Sequence, residues 1–329
     1  MNMVIARTPY RISFFGGGSD FKNYYETRGG AVLSATIDKY CYVTTRRMPQ
    51  FFGYNSQFTY SKIERFNTAD EVEHPLVRNA LKMLNTQNIQ IAYDSDLPAR
   101  SGIGSSSAFA VGLLNGLRTL EGVSPTKKEL AQQAIYLERE LCNEAGGIQD
   151  QISTAYGGIN KISFSSDGFE VNQIKFPTER KLALNGNLLL FFTGFQRNSY
   201  DISQKQDSRT GQNIAVLDEM VELVDAGVSI LTEGDDLNDF GRLLDYSWKL
   251  KKSLADEITT DEINAMYEKA KRAGALGGKL LGAGGGGFML LYVEPYKQQS
   301  VKNALSDFLQ IPFRFESSGT SIIYKGSGD

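Results

Sequence analysis

The feature that most limits what this chain can be is a loop rich in glycine and serine at residues 97–108, LPARSGIGSSSA. A strand-like run precedes it, and an amphipathic helix pattern follows it. The glycines permit a tight turn, and the three serines fall where unpaired N–H groups and the helix dipole favour an anion. A serine-capped helix is the alternative, but one serine would be enough for a cap. The loop therefore predicts a phosphate site formed by Arg100, Gly102, Gly104, Ser105, Ser106 and Ser107.

A second glycine loop spans residues 282–287, with five glycines in six positions. Three of them match the dinucleotide-binding fingerprint by letter, but a strand-like run follows where that motif needs a helix. The Gly-Lys-Ser/Thr ending of a P-loop does not occur in the sequence either. Five glycines lose much backbone conformational entropy on folding, which favours a functional reason for them. A tight hairpin with a purely structural role is the alternative. We predict that Gly284 and Gly285 approach a ligand closely.

Two further segments carry charged residues beside glycines. In residues 9–20, PYRISFFGGGSD, Arg11 interrupts a strand-like run and Asp20 follows a turn containing Gly17 and Gly18. Taken alone, Arg11 as a solvated strand residue and Asp20 as a helix cap are explanations of equal weight to a functional role. Glu138 lies beside the apolar face of a predicted helix, and Asp150 follows a glycine pair. A surface ion pair and a second helix cap are the simpler explanations for those two.

Composition excludes several classes of protein. A chain of 329 residues with 41% hydrophobic content can bury a large core and favours two domains. Its net charge of −3 gives no basic surface for nucleic acid. The sequence lacks an apolar run of membrane-spanning length and a signal-peptide pattern at its start, which predicts a cytoplasmic protein without a membrane partner. Nothing in the sequence fixes the oligomeric state.

Metal-binding and nucleophile motifs are also missing. Cys41 and Cys142 are isolated from each other and from the single histidine, so we expect neither a zinc site nor a disulfide. His74 precedes a proline and is predicted to be a surface loop residue. Any proton acceptor in the site is therefore expected to be a carboxylate.

The secondary-structure pattern mixes strands and helices without regular βαβ alternation, which predicts an α+β fold in both halves. Helices are predicted over residues 75–84, from 126 to a glycine pair at 146–147, and across 213–273. A capping box at Thr126 and Glu129 opens the second of these. The polar segment 177–187 is the predicted boundary between an N-terminal domain, 1–182, and a C-terminal domain, 183–329.

Taken together, the loops and charged residues resemble the three motifs of the GHMP kinases, in order and across nearly the whole chain. Residues 11–20, 149–151 and 274–284 are similar to the subgroup of D-glycero-D-manno-heptose phosphate kinases. The resemblance implies two α+β domains with the active site in the cleft between them. It also implies ATP and Mg²⁺ as cofactors, and a sugar phosphate as the substrate.

Roles for individual residues follow from this resemblance. The first loop would wrap the ATP phosphates, Ser106 and Glu138 would bind magnesium, and Asp150 would be the catalytic base. Arg11 would pair with Asp150, Asp20 would contact sugar hydroxyls, and the second glycine loop would form the floor beneath the transferred group. Galactokinases carry Glu-His where this chain has Gly17 and Gly18, so the chain leaves room for a larger sugar than galactose.

The substrate implied by the resemblance is D-glycero-D-manno-heptose 7-phosphate, phosphorylated at its anomeric hydroxyl for nucleotide-heptose and surface-polysaccharide synthesis. A phosphorylated sugar needs a cationic clamp, for which Arg197 with Ser199 is the candidate, helped by Lys249, Lys252 or Lys279. Solvated surface charges are the equal alternative. Two other functions stay open, a kinase of a free sugar such as L-fucose and a regulator that has lost catalysis.

Overall fold

A computed structural model describes residues 2–194 and 199–326, without the side chains of residues 199 and 200. Its strands are β1 (Met3–Phe15), β2 (Gly30–Arg47), β3 (Ser56–Thr59), β4 (Ile63–Phe66), β5 (Ile89–Ser95), β6 (Ile159–Ser165), β7 (Gly168–Gln173), β8 (Leu188–Phe192), β9 (Gly277–Leu280), β10 (Phe288–Tyr292), β11 (Leu309–Gln310), β12 (Phe315–Glu316) and β13 (Ser321–Gly326). Its helices are α1 (Lys22–Arg28), α2 (Pro75–Met83), α3 (Ser105–Leu120), α4 (Lys127–Ile135), α5 (Gln149–Tyr156), α6 (Thr178–Gly186), α7 (Ser199–Ser208), α8 (Ile214–Thr232), α9 (Asn238–Ser253), α10 (Asp261–Arg272) and α11 (Gln298–Ala304).

Two sheets organise the described part of the chain. The first has the strand order β13-β1-β2-β5-β3-β4, with β12 and the β6–β7 hairpin also joined to β2. This branching is possible because β2 is 18 residues long and pairs with β6 along one stretch and with β5 along the next. The second sheet is antiparallel, in the order β11-β8-β10-β9.

The core of the first half lies between the first sheet and α3. The helix buries almost its whole length against β1 and β2, because nearly all of its residues are apolar or small. Burying each large apolar side chain contributes about 1.5–3 kcal/mol, so the position of the helix is firmly held. Its N-terminus, which follows the glycine- and serine-rich loop, is thereby fixed relative to β1.

The two halves of the chain share a core. The rings of Phe14 and Phe15, at the end of β1, pack edge-on against Phe240 of α9, with centroids 5.2 and 5.0 Å apart. The end of the chain also returns to the first sheet, where β12 pairs with β2 and β13 with β1. The boundary at residue 182 stays a prediction, but the last two strands belong to the first sheet.

The α+β prediction is confirmed, and so are most elements. The capping box of α4 is present, with the Thr126 hydroxyl accepting from the Glu129 amide at 3.2 Å. The predicted helix stops short of the glycine pair, because a π-helical turn, Tyr136–Leu141, ends it. The segment predicted to be the domain boundary contains α6, and the long helical pattern beyond residue 213 is divided into three helices.

His74 lies in the loop just before α2, as the sequence predicts, but it is partly buried and not on the open surface. Its imidazole lies edge-on against Phe58, Tyr60 and Phe109, with centroids 5.5–5.7 Å apart. Burial in this aromatic cluster lowers its pKa. Within residues 2–194 and 199–326, every helix is too short or too polar to cross a membrane.

Candidate active site

Most of the residues singled out from the sequence lie around one cleft between the two halves. The cleft is lined by the first loop, the end of β1, the segment around α5, and residues of α9, β9 and the second glycine loop. The predicted residues that it brings together are Arg11, Gly17, Gly18, Asp20, Arg100, Gly102, Gly104, Ser105, Ser106, Ser107, Glu138 and Asp150.

The first loop ends directly at the N-terminus of α3. Gly102 and Gly104 adopt left-handed backbone conformations, with φ of 81° and 73°. Gly104 is the N-cap, and no side chain caps α3, so the first N–H groups of the helix have no side-chain acceptor. A helix N-terminus in this state attracts an anion. The geometry therefore supports the predicted phosphate site.

The two glycine loops touch backbone to backbone. A Cβ on Gly102 would lie 2.4 Å from the Leu281 carbonyl oxygen, and one on Gly282 would lie 2.3 Å from the Gly102 Cα. Glycine is therefore required at both positions for steric reasons. The strand β10 follows the second loop, which agrees with rejecting a dinucleotide fingerprint. The second glycine loop thus packs directly against the first.

Gly284 and Gly285 lie apart from the cleft lining. The Gly285 amide donates to the Ile258 carbonyl oxygen at 2.9 Å, and a Cβ on Gly284 would lie 2.6 Å from the Ile258 Cα. Their close approach is therefore to another backbone segment. Instead, the second loop contributes Gly282 and Ala283 to the cleft.

Arg11 and Asp150 form a bidentate ion pair at the centre of the cleft. The guanidinium donates from Nε and Nη2 to the two carboxylate oxygens, each at 2.7 Å. Its Nη1 donates to the Gly102 carbonyl oxygen at 2.6 Å, so the arginine joins Asp150 to the first glycine loop. Arg11 is 4% exposed, whereas the Asp150 side chain is 23% exposed and can reach a ligand. The explanation of Arg11 as a solvated strand residue is therefore wrong.

Glu138 is buried in the π-helical turn. Its carboxylate accepts hydrogen bonds from the hydroxyls of Ser106 and Ser107 at 2.7 Å, and from the Gln151 amide at 2.6 Å. No lysine or arginine of the described residues forms an ion pair with it. The surface ion pair expected as its simpler explanation is therefore wrong.

A buried carboxylate without a cation, beside a hydroxyl, fits Mg²⁺. This ion prefers hard oxygen ligands and is usually bound by one or two protein side chains together with substrate phosphates. No group of three or more potential metal-ligating side chains occurs in the described parts of the chain. Glu138 and Ser106 would thus hold the ion only together with a polyphosphate.

Asp20 is a buried acceptor and not a helix cap, since α1 starts at Lys22 with Phe21 as its N-cap. Its carboxylate accepts from the Gly18 amide at 2.9 Å and from the Gln149 side-chain amide at 3.0 Å. Burial raises its pKa, although the backbone donors oppose this. A Cβ on Gly147 would lie 1.9 Å from Asp20 Oδ2, so the glycine pair of the sequence makes room for this carboxylate.

Two polar residues in the cleft were missed. Ser13 Oγ and Gln149 Oε1 are buried, and neither has a hydrogen-bond partner among the described residues. Both residues line the cleft. Alternation along β1 could have found Ser13, because it is two residues from Arg11 and shares its face of the strand. Unpaired buried polar groups that line a cleft are candidates for contacts with a ligand.

Sequence reasoning also missed Lys251. The buried residues of α9 include Phe240, Leu244, Ser247 and Lys251, which are spaced three or four positions apart. This spacing puts Lys251 on the buried face of the helix, and that was the available signal. Of the three lysines considered in the sequence, only Lys279 lines the cleft. Lys249 instead pairs with Asp245 at 2.8 Å, and Lys252 lies 3.5 Å from the Asn264 side-chain oxygen.

Glu144 is a fourth residue that sequence reasoning did not find. It lines the cleft close to Glu138. Burial, followed by the charge of Glu138, raises its pKa to about 7. Arg197 lies outside the described residues, and nothing is described of the Ser199 side chain.

Comparison with known proteins matches the chain to one family. The GHMP kinases N terminal domain matches residues 72–158, and the GHMP kinases C terminal domain matches residues 207–311. The D-glycero-alpha-D-manno-heptose 7-phosphate kinase of Campylobacter jejuni is 28% identical over 93% of this chain and 94% of that protein. The bifunctional fucokinase/GDP-fucose pyrophosphorylase of Arabidopsis thaliana is 27% identical over 86% of this chain and 29% of its own length.

Solved structures of kinases share the fold of this chain. The crystal structure of a D-glycero-D-manno-heptose 1-phosphate kinase from Bacteroides thetaiotaomicron is 25% identical, with a TM-score of 0.80, over 98% of this chain and 100% of that one. The galactokinase of Lactococcus lactis, 17% identical with a TM-score of 0.72 over 97% and 95% of the chains, shares the fold. The chain therefore belongs to the GHMP kinase family and is a kinase with the two-domain α+β architecture of that family.

Proposed function

We propose that this kinase transfers the γ-phosphoryl group of ATP to the anomeric hydroxyl of D-glycero-D-manno-heptose 7-phosphate, giving the 1,7-bisphosphate. The product would feed nucleotide-heptose and surface-polysaccharide synthesis in the cytoplasm. The observation that carries the proposal is the bidentate Arg11–Asp150 pair, which lines the same cleft as Ser106 and Glu138. A base and a phosphate site on one cleft are what a direct phosphoryl transfer requires.

In this mechanism the N-terminus of α3 binds the nucleotide phosphates through backbone N–H groups and serine hydroxyls. Magnesium, held by Glu138 and Ser106, supplies charge neutralisation on the phosphate oxygens when bound. Asp150 accepts the proton of the attacking sugar hydroxyl. Arg11 fixes the orientation of that carboxylate through two hydrogen bonds and contributes positive charge beside the transferred group.

The sugar would bind where buried polar groups face the cleft. Asp20, Gln149 and Ser13 offer a carboxylate, an amide oxygen and a hydroxyl, which suit sugar hydroxyl groups. At Gly17 a Cβ would meet no atom closer than 3.5 Å, which supports space for a sugar larger than a hexose. At Gly18 that space is filled, because a Cβ would lie 2.7 Å from Gln206 Nε2. Arg197 with Ser199 remains our proposal for the clamp on the sugar's own phosphate. If Arg197→Ala raises KM equally for the phosphorylated and the free sugar, the clamp is refuted.

L-fucose kinase activity is the second candidate, favoured by the similarity to the plant fucokinase over 86% of this chain. Release of ADP should be measured with heptose 7-phosphate, heptose, L-fucose, galactose and mannose, and the position of the new phosphate determined by ³¹P NMR. We expect the highest kcat/KM with the heptose 7-phosphate and a phosphate on the anomeric carbon. A higher kcat/KM for a free sugar would refute the heptose phosphate assignment.

A further inference from the structure

Two lysines are buried in the cleft without a carboxylate partner. Lys251 is 5% exposed and Lys279 is 1% exposed. Each ammonium donates one hydrogen bond to a carbonyl oxygen, Lys251 to Gly282 and Lys279 to Phe14 at 2.9 Å. Neither forms an ion pair within the described part of the chain. Lysine is rarely buried unless it is paired, because an uncompensated charge in the interior is costly.

The two lysines belong to the centre of the cleft. The carbonyl partner of Lys251 is Gly282, which packs against Gly102, and Gly102 in turn accepts a hydrogen bond from Arg11. Arg11 and Lys251 therefore meet at the junction of the two glycine loops, and Lys279 lines the same cleft. Asp150 forms an ion pair with Arg11, whereas no carboxylate of the described residues forms an ion pair with Lys251 or Lys279. The charge of Asp20 acts on both lysines, but without a direct contact.

The electrostatics of the pair agree with this geometry. Burial, followed by the charge of Arg11, lowers the pKa of Lys251 to about 8. Burial, followed by the charge of Lys251, lowers the pKa of Lys279. An anion bound between the lysines would relieve both effects. The site between the two lysines thus has positive charge that no ion pair compensates, and it lies in the cleft that we propose binds phosphates.

We propose that Lys251 and Lys279 bind the phosphoryl group in transfer and stabilise its negative charge together with Arg11. This inference rests on the proposed kinase function and assigns to it two residues of the C-terminal half. The sugar's own phosphate is the other possible source of the anion. We assign the transferred group because Arg11 connects the lysines to Asp150, whereas the phosphate on carbon 7 is separated from the reacting hydroxyl by the length of the sugar.

The test compares Lys251→Met with Lys269→Met. Lys269 is an exposed lysine of α10, outside the cleft lining, with its ammonium 3.6 Å from the Asp307 carboxylate. Loss of one preorganised charge at a transition state typically lowers kcat about 10²–10³-fold. We expect that loss in Lys251→Met with both phosphorylated and free sugars, and less than about a threefold change in Lys269→Met. Lys279→Met should behave as Lys251→Met does.

A second measurement does not depend on turnover. Aluminium fluoride with Mg-ADP and the sugar imitates a phosphoryl group in transfer. The wild type should bind this complex more tightly than Mg-ADP alone, and Lys251→Met should lose the gain while its affinity for ADP stays within about threefold. The Tm of Lys251→Met should equal or exceed that of the wild type, since a buried unpaired charge is removed.

Several results would overturn the assignment. A kcat within about threefold of wild type in Lys251→Met would do so. An increase of KM confined to the phosphorylated sugar would show that the lysines bind the sugar's own phosphate. A fall in Tm that parallels the loss of activity would show that Lys251 only holds the loop at Gly282. If the wild type phosphorylates none of the sugars but still binds the fluoride complex more tightly than Mg-ADP alone, the proposed sugar is contradicted and the lysine assignment is supported.

Discussion

The replacement Gly147→Ala tests whether Asp20 binds the sugar. The backbone of Gly147 is outside the left-handed region, so alanine fits its conformation, and the only obstacle is the new Cβ, 1.9 Å from Asp20 Oδ2. Reaching an ordinary contact of 3.4 Å requires the carboxylate to move by about 1.5 Å. A shift of that size breaks the hydrogen bonds from the Gln149 amide at 3.3 Å and from its side chain at 3.0 Å.

The expected magnitude follows from those two hydrogen bonds. Asp20 is 2% exposed, so water does not readily replace the lost donors. A hydrogen bond to a charged group contributes about 1.5–3 kcal/mol, so the free energy of unfolding should fall by at least about 3 kcal/mol. If the same carboxylate binds the sugar, a loss of about 3 kcal/mol lowers kcat/KM by at least about 100-fold.

Initial rates with varied sugar concentration, together with ADP affinity by calorimetry, check this expectation. The Kd for ADP should stay within about twofold, because the serine loop is untouched. Gly211→Ala is the matched control, since nothing lies within 4 Å of its Cβ. If Gly147→Ala keeps kcat/KM for the sugar within about threefold of wild type, Asp20 has no role in sugar binding.

Three further changes test other parts of the account. Glu138→Gln removes the buried charge opposite Ser106, and the Mg²⁺ concentration for half-maximal rate should rise at least about tenfold; an unchanged Mg²⁺ dependence would exclude Glu138 as a ligand. Gly102→Ala should destabilise the protein more than Gly122→Ala and should weaken ADP binding. The two glycines have similar φ, 81° and 86°, but only Gly102 has another backbone segment within 4 Å of its Cβ position. Equal effects of the two substitutions would contradict the contact between the loops. Burial lowers the pKa of Lys251 from 10.5 to about 8, so between these pH values the unfolded chain binds more protons than the folded one, and the free energy of unfolding should rise with pH. In urea titrations, Lys251→Met should lose part of that rise. If the free energy of unfolding depends on pH identically in both proteins, a buried ammonium at Lys251 is contradicted.

Local pattern was enough to predict the first glycine loop, because a strand, a turn and a helix follow one another there and their spacing limits the local backbone. The α+β class follows from similar local patterns. The roles expected of Glu138 and Asp150 came instead from the resemblance to the GHMP kinases, since local pattern alone favoured a surface ion pair and a helix cap. Their hydrogen-bond partners, Ser106 and Arg11, are distant in sequence.

The remaining features depend on contacts between distant segments. Lys251 approaches Arg11 only because α9 packs against the end of β1, and no local pattern reports that packing. Likewise, the return of β12 and β13 to the first sheet depends on strand pairing across about 280 residues of sequence for β12 and about 320 for β13. Gly284 and Gly285 satisfied the pattern of a ligand-binding loop, but their close neighbour is the backbone at Ile258.

The most direct test of the phosphoryl-transfer site is the kcat of Asp150→Asn, measured as ADP release at saturating ATP and heptose 7-phosphate. Asp225→Asn, which alters an exposed ion pair with Lys161, serves as the control. The account predicts that kcat falls by at least about 10²-fold in Asp150→Asn while the Kd for ATP stays within about threefold. A variant with near-normal kcat would contradict the role of Asp150 as the proton acceptor, and with it the mechanism proposed for this cleft.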